Sequence, residues 1–228
     1  MRTSKVARVA GALYLSTLPL AIYFWSYLPG KLIIRGNGTA TSENILAHET
    51  LFRFSIVGDL FTHVVLLILA FLLYQLLSHV DGRWAFVMVG FVLVSTAVAF
   101  VGALHNLAAL LLFRGGDFLR ALATGQREAL AMLFIRVHGQ GYLVNELFSG
   151  LWLLPLGFLV FGGGFLQRLL AVWLVIAGFG WLALSIVALV FPSYYDVAFK
   201  FAQPVLLGEM AFALWLLIKG PNFASPTI

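Results

Sequence analysis

The chain has no cysteine among its 228 residues, which excludes disulfides, thiolate metal sites, iron–sulfur clusters and cysteine nucleophiles. It is also poor in charge: 10% of its residues are Asp, Glu, Lys or Arg, where a soluble domain carries about a quarter. A chain with so little charge, and 62% hydrophobic, belongs in a bilayer. A basic stripe is missing too. The 14 Lys and Arg residues give a net charge of +5, but they are scattered at the ends of apolar runs, as anchors of membrane spans are. That distribution argues against a nucleic-acid partner and for membrane lipid. No HExxH pair occurs, and no glycine-rich loop follows a strand-like run to cradle phosphate. No internal repeat survives comparison of the two halves, so an inverted-repeat transporter lacks support.

What is present is a series of long apolar runs. A helical crossing needs ~20 mostly apolar residues, and six runs qualify, at about 7–28, 43–78, 84–113, 128–161, 167–191 and 196–218. The sequence therefore predicts an all-α, polytopic membrane bundle of six transmembrane helices, as a single integral membrane domain over 1–228. The first run follows Arg2, Lys5 and Arg8 as a secretory signal would, yet it exceeds the ~7 to 15 apolar residues of a signal and reads as a span. Pro19 is expected to bend it. Tyr23, Trp25 and Tyr27 read as interface aromatics at its end, closed by Pro29-Gly30.

The connections are marked by turn and cap residues. Gly36-Asn37-Gly38 forms a turn, after which Thr41 or Ser42 caps the second helix with Glu43 in its first turn. Asp81-Gly82 returns the chain. Asp117 caps a short surface helix that carries Phe118, Leu119 and Leu122. Gly162-Gly163-Gly164, Pro192-Ser193 and Lys219-Gly220-Pro221 end the last three spans. Six spans place both termini on one side, and the three basic residues of the short N-terminal tail favour the cytoplasm for it.

Ionisable groups stand inside these runs, where each costs at least ~2.5 kcal/mol at mid-depth unless partnered. Counted from the helix ends at ~1.5 Å per residue, Asp59, His63, His105, Asn106 and His138 fall in the outer half of the bilayer. Asn145, Glu146 and Glu209 fall nearer its middle. Ser55, Asp59 and His63 follow at intervals of four along one helix face, and His138, Tyr142, Asn145 and Ser149 form a second stripe. The expectation is an inner ring of spans two, three, four and six around a polar pocket, with spans one and five outside it against lipid. Pro155 and Pro204 free backbone carbonyls beside that interior. Arg53 and Arg136 stand at the mouth, to pair with Glu49 and Asp59 or to recognise an anionic headgroup.

Several uses fit this set of residues. The first is binding or transport of a small amphiphile, lipid or ion by Asp59, His63, His105, Asn106, His138, Tyr142, Asn145, Glu146 and Glu209. The second is a hydrolase with a divalent metal such as zinc on Asp59, His63, His105 and His138, with Glu146 or Glu209 as base. The third is a b-type haem on two of His63, His105 and His138. The fourth is purely structural, pairing Asp59 with His63 or Arg53 and Glu146 with His138 or His105. Ser149 lacks the strand-to-helix elbow of a serine hydrolase. Gly90, Gly102, Gly139, Gly178 and Gly180 read as close-packing positions. Residue types alone select neither an enzyme nor an oligomeric state.

Four segments resemble a known family: Ala7-Arg8-Val9-Ala10-Gly11-Ala12-Leu13-Tyr14; Asn44-Ile45-Leu46 through Leu51-Phe52-Arg53 to Gly58-Asp59; His138-Gly139-Gln140-Gly141-Tyr142; and Gly208-Glu209 to Leu216-Leu217-Ile218-Lys219-Gly220. They look like a bacterial six-span family catalogued as domain of unknown function 4386. The likeness covers nearly the whole chain. It implies a six-helix fold in a bacterial cytoplasmic (inner) membrane and implies no activity. Gly139 and Gln140 stand where many members carry an acidic residue and a Tyr, so a role for that carboxylate does not transfer.

Overall fold

Inside a bilayer no water is available to satisfy a backbone N–H or C=O, so apolar segments close their hydrogen bonds within themselves and become helices. The computed structural model describes residues 2–162 and 165–219, and among these there is no strand. Six stretches are long and apolar enough to cross a membrane: Ser4–Leu32, Glu49–Leu77, Gly82–Arg114, Thr124–Phe161, Leu166–Val190 and Pro192–Ile218. The chain is an all-α transmembrane helical bundle. The glycines 163–164 expected to end the fourth span, and the Gly220-Pro221 stop after the sixth, lie outside the described residues.

The first span departs from expectation. Helix α1 (Arg2–Ala21) passes into a wide π turn over Ile22–Tyr27, and a further turn, α2 (Leu28–Leu32), carries the helix beyond Pro29-Gly30. Pro29 has no N–H, so it cannot close the α-helical bond to the Trp25 carbonyl. The Leu28 N–H bonds instead to the Tyr23 carbonyl, five residues back. Proline at the start of a helical turn needs no donor, so Pro29 begins α2 where it was expected to end the span.

The second helix begins earlier than expected. Helix α3 (Gly38–Ala47) is capped by Asn37, whose side chain accepts from the Ala40 N–H at 2.9 Å. Thr41 and Ser42, the two caps expected, are both buried within the helix, and the Thr41 hydroxyl bonds the Ile34 and Asn37 carbonyls. The backbone breaks at His48, with φ −122° and ψ 38°, before α4 (Glu49–Leu77). Helices α5 (Gly82–Arg114), α6 (Thr124–Phe161), α7 (Phe165–Val190) and α8 (Tyr195–Ile218) match the remaining spans within a few residues. A single 3-10 turn, Asp117–Leu119, stands where the short surface helix was expected, and Phe118 is exposed.

Packing divides the chain into two compact units: residues 1–17, 64–96 and 143–228 form one, and residues 18–63 and 97–142 the other. Each has its own apolar core. In the first, Leu69, Leu73 and Met88 are buried with Leu153, Leu156 and Phe212. Here α6 and α7 meet at glycine: a Cβ on Gly150 would stand 2.5 Å from the Gly178 carbonyl, and one on Gly157 2.9 Å from that of Ala171. In the second unit, Leu32, Ile45 and Phe52 are buried with Leu110, Phe113 and Ile135. A Cβ on Gly58 would fall inside the Phe24 ring, at 2.0 Å from its nearest atom.

Candidate functional site

The stripe Ser55, Asp59 and His63 on α4 is turned inward, with exposures of 7%, 3% and 1%. Asp59 is held by the π turn: the Trp25 indole N–H donates to its Oδ1 at 2.8 Å. His63 Nδ1 lies 3.0 Å from the Asp59 backbone carbonyl and 3.3 Å from Oδ1. A carbonyl only accepts, so Nδ1 carries the hydrogen. The Trp25 ring packs between two others, 5.2 Å from His63 and 5.5 Å from Tyr142 by ring centroids.

Ser55, Asp59, Trp25 and Tyr142, but not His63, border a cavity of about 130 Å³ in the second unit. Helix α4 contributes Phe52, Ser55 and Asp59, and the first span Phe24, Trp25, Pro29 and Leu32. Asn106 closes it from α5, and Ile135, His138 and Tyr142 from α6. His138 donates from Nδ1 to the Gly102 carbonyl at 3.0 Å, the same hydrogen assignment as at His63, and its ring meets Tyr142 edge to face. Asp59 Oδ2 is buried without a hydrogen-bond partner among the described residues. The Tyr142 phenol is a hydrogen-bonding neighbour of the Asp59 carboxylate, which is the closest Oδ2 comes to a protein donor among the described residues.

The expected site is thereby divided. Asp59, His63, Asn106, His138 and Tyr142 gather in the second unit, whereas Asn145, Glu146 and Glu209 belong to the first. Glu209 has both oxygens bonded, Oε2 by the Tyr14 hydroxyl at 2.5 Å and Oε1 by the Trp181 indole at 2.7 Å. It ties α1, α7 and α8 together. Glu146 accepts from the Tyr195 hydroxyl, not from His138 or His105 as anticipated, and its Oε2 is buried without a partner among the described residues. Asn145 is buried, and its backbone carbonyl accepts from Ser149. In the second unit the first span takes the place expected of the sixth.

The remaining candidates stand outside the cavity lining. His105 stacks on Phe134 at 6.0 Å while its neighbour Asn106 faces the cavity. Arg53 is exposed and paired with Glu49 at 2.7 Å, not with Asp59. Arg136 is exposed. Trp25, Phe24 and Phe52 are additions that residue type did not announce. Trp25 had the look of an interface anchor, and the one signal against that was Pro29, four residues on, which disturbs the helix at this ring.

Among the described residues no three His, Asp or Glu side chains converge as a metal site requires, so Asp59, His63, His105 and His138 do not form the expected zinc set. A cavity of about 130 Å³ is the size that takes one benzene-like molecule, whose engineered site is about 150 Å³. Of the glycines read as close-packed, Gly102 and Gly178 are, against His138 and Leu154, but a Cβ on Gly90 or Gly139 would meet nothing within 4 Å and one on Gly180 only ordinary contacts.

The family model described as domain of unknown function (DUF4386) matches residues 9–220. The chain belongs to this family. No curated protein and no solved structure matches this DUF4386 member. The match takes in both units and every residue of the cavity lining.

Proposed function

We propose that this membrane protein binds or transports a small molecule in the cavity of its second unit, with Asp59 as the anchoring group and His63, Asn106, His138 and Tyr142 as its polar surroundings. One observation carries the reading: a carboxylate oxygen of Asp59, a residue 3% exposed, has no completed hydrogen bond among the described residues and borders a cavity. Leaving such an acceptor unmade costs roughly 1–3 kcal/mol, more for a charged group, and a bound ligand removes that cost. Interhelical polar contacts contribute only ~0.6–1.7 kcal/mol in membranes, so stability alone is a poor reason to keep it. Small, mostly apolar pockets with a few convergent polar groups are the usual form of ligand sites between helices.

Native mass spectrometry of the detergent-purified chain is expected to show a small adduct on the wild type. Ile135→Trp, which fills the cavity from a buried wall position, is expected to lose it while keeping its unfolding temperature. An adduct that survives with the same mass and occupancy refutes the assignment.

The family and the basic N-terminal tail support a bacterial cytoplasmic membrane with both termini inside, which puts the cavity in the outer half of the bilayer. The absence of cysteine makes this simple to check. Arg35→Cys, beside the turn at Gly36, is expected to react with an impermeant maleimide added to intact cells, and Arg83→Cys only after lysis. The reverse pattern inverts the topology.

A further inference from the structure

We propose that the ligand is a protonated amine with a short hydrocarbon body, a small organic ammonium, held by Asp59 and the aromatic walls around it; this rests on the binding reading above. The sign of the ligand follows from what lines the cavity. Among the described residues it is bordered by a carboxylate and by no Lys or Arg, so an anion would meet no fixed positive partner there. Among its hydrogen-bonding groups, Asp59 Oδ2 is an acceptor with no completed hydrogen bond from the described residues. His138 spends its Nδ1 hydrogen on the Gly102 carbonyl, so when the ring is uncharged its Nε2 is an acceptor. An ammonium group supplies the N–H donor that Asp59 Oδ2 lacks among the described residues.

The rest of the wall argues for an organic cation over an inorganic one. A hard metal cation seeks about six oxygen ligands, and this lining offers few. What it offers instead is ring surface, from Phe24, Trp25, Phe52 and Tyr142. Aromatic faces attract ammonium groups through their quadrupole, and most strongly when the cation is desolvated. A cavity of about 130 Å³ leaves room for a few carbon atoms beyond the nitrogen.

The test uses the full chain in detergent micelles, its unfolding midpoint, and three probes of one shape: n-propylammonium chloride, propan-1-ol and sodium propionate, each matched for ionic strength with sodium chloride. Propylammonium is expected to raise the midpoint above the salt control, with the alcohol and the carboxylate well below it in effect. Asp59→Asn keeps an oxygen for the Trp25 indole but loses the charge, and is expected to need at least ~tenfold more propylammonium for the same rise. Ile135→Trp, with Asp59 intact, is expected to abolish the response, and it decides the matter if the Asn variant does not fold. An equal rise with all three probes, or an unchanged response in Asp59→Asn, overturns the ammonium inference and leaves the pocket standing. No response to any probe overturns both.

Discussion

Glu209→Leu is expected to destabilise the protein by roughly 3 kcal/mol, about twice the ~1.7 kcal/mol upper value for one interhelical polar contact in a membrane. The substitution leaves two donors in apolar surroundings, the Tyr14 hydroxyl and the Trp181 indole, because both now end on the one carboxylate. Tyr14 is buried and has Trp152 and Phe212 against its ring, so it has little freedom to find another acceptor. Glu209→Gln is expected to lose only about 1 kcal/mol, since its amide oxygen still accepts from the indole while the phenol can turn to serve either atom. Reversible unfolding in mixed micelles measures both. A leucine variant as stable as the glutamine one would mean that the clamp contributes nothing, and would return Glu209 to the list of groups kept for chemistry.

The second large effect is expected at glycine. Gly150→Leu should cost roughly 3 kcal/mol, the upper end of the usual overpacking range. Its Cβ alone would come within 2.5 Å of the Gly178 carbonyl, and within 2.7 Å of Leu182. A side chain can rotate out of such a contact; a carbonyl of the facing helix cannot, so α6 and α7 must separate. Gly90→Ala is the control. Nothing lies within 4 Å of the position its Cβ would take, and alanine favours helix over glycine by about 1 kcal/mol, so this variant should be neutral or slightly more stable. Equal losses at both positions would show that helix–helix approach at Gly150 is not what holds α6 to α7.

These two cases mark what was legible in the sequence. The six spans were, because hydropathy over ~20 residues is a bulk property that no single neighbour overrides. The inward face of α4 was as well: Ser55, Asp59 and His63 recur at the helical interval, and all three are buried. Partnership between helices was not. Whether Glu146 meets Tyr195 depends on the rotations of α6 and α8 about their axes, which pattern within one helix does not encode. Glycines were equally mute, since Gly90 and Gly150 differ only in what stands opposite. Trp25 was missed for a different reason. An indole is amphipathic and suits a membrane interface, so its position near the end of a span seemed explanation enough, and the π turn that swings it onto Asp59 is a local irregularity.

Three tryptophans give their indole hydrogens to acceptors within the spans: Trp25 to Asp59, Trp173 to the Val205 carbonyl and Trp181 to Glu209. These donors are uncharged, and the carboxylates they hold are thereby fastened without Lys or Arg. The pairs that do join full charges among the described residues, Arg53 and Arg114 with Glu49 and Arg120 with Asp117, have exposed arginine side chains. Ionic strength acts on exposed pairs, whose attraction fades over a Debye length of ~10 Å at 0.1 M, and only weakly on buried contacts. Brine can therefore loosen the ends of this molecule while its interior stays bolted.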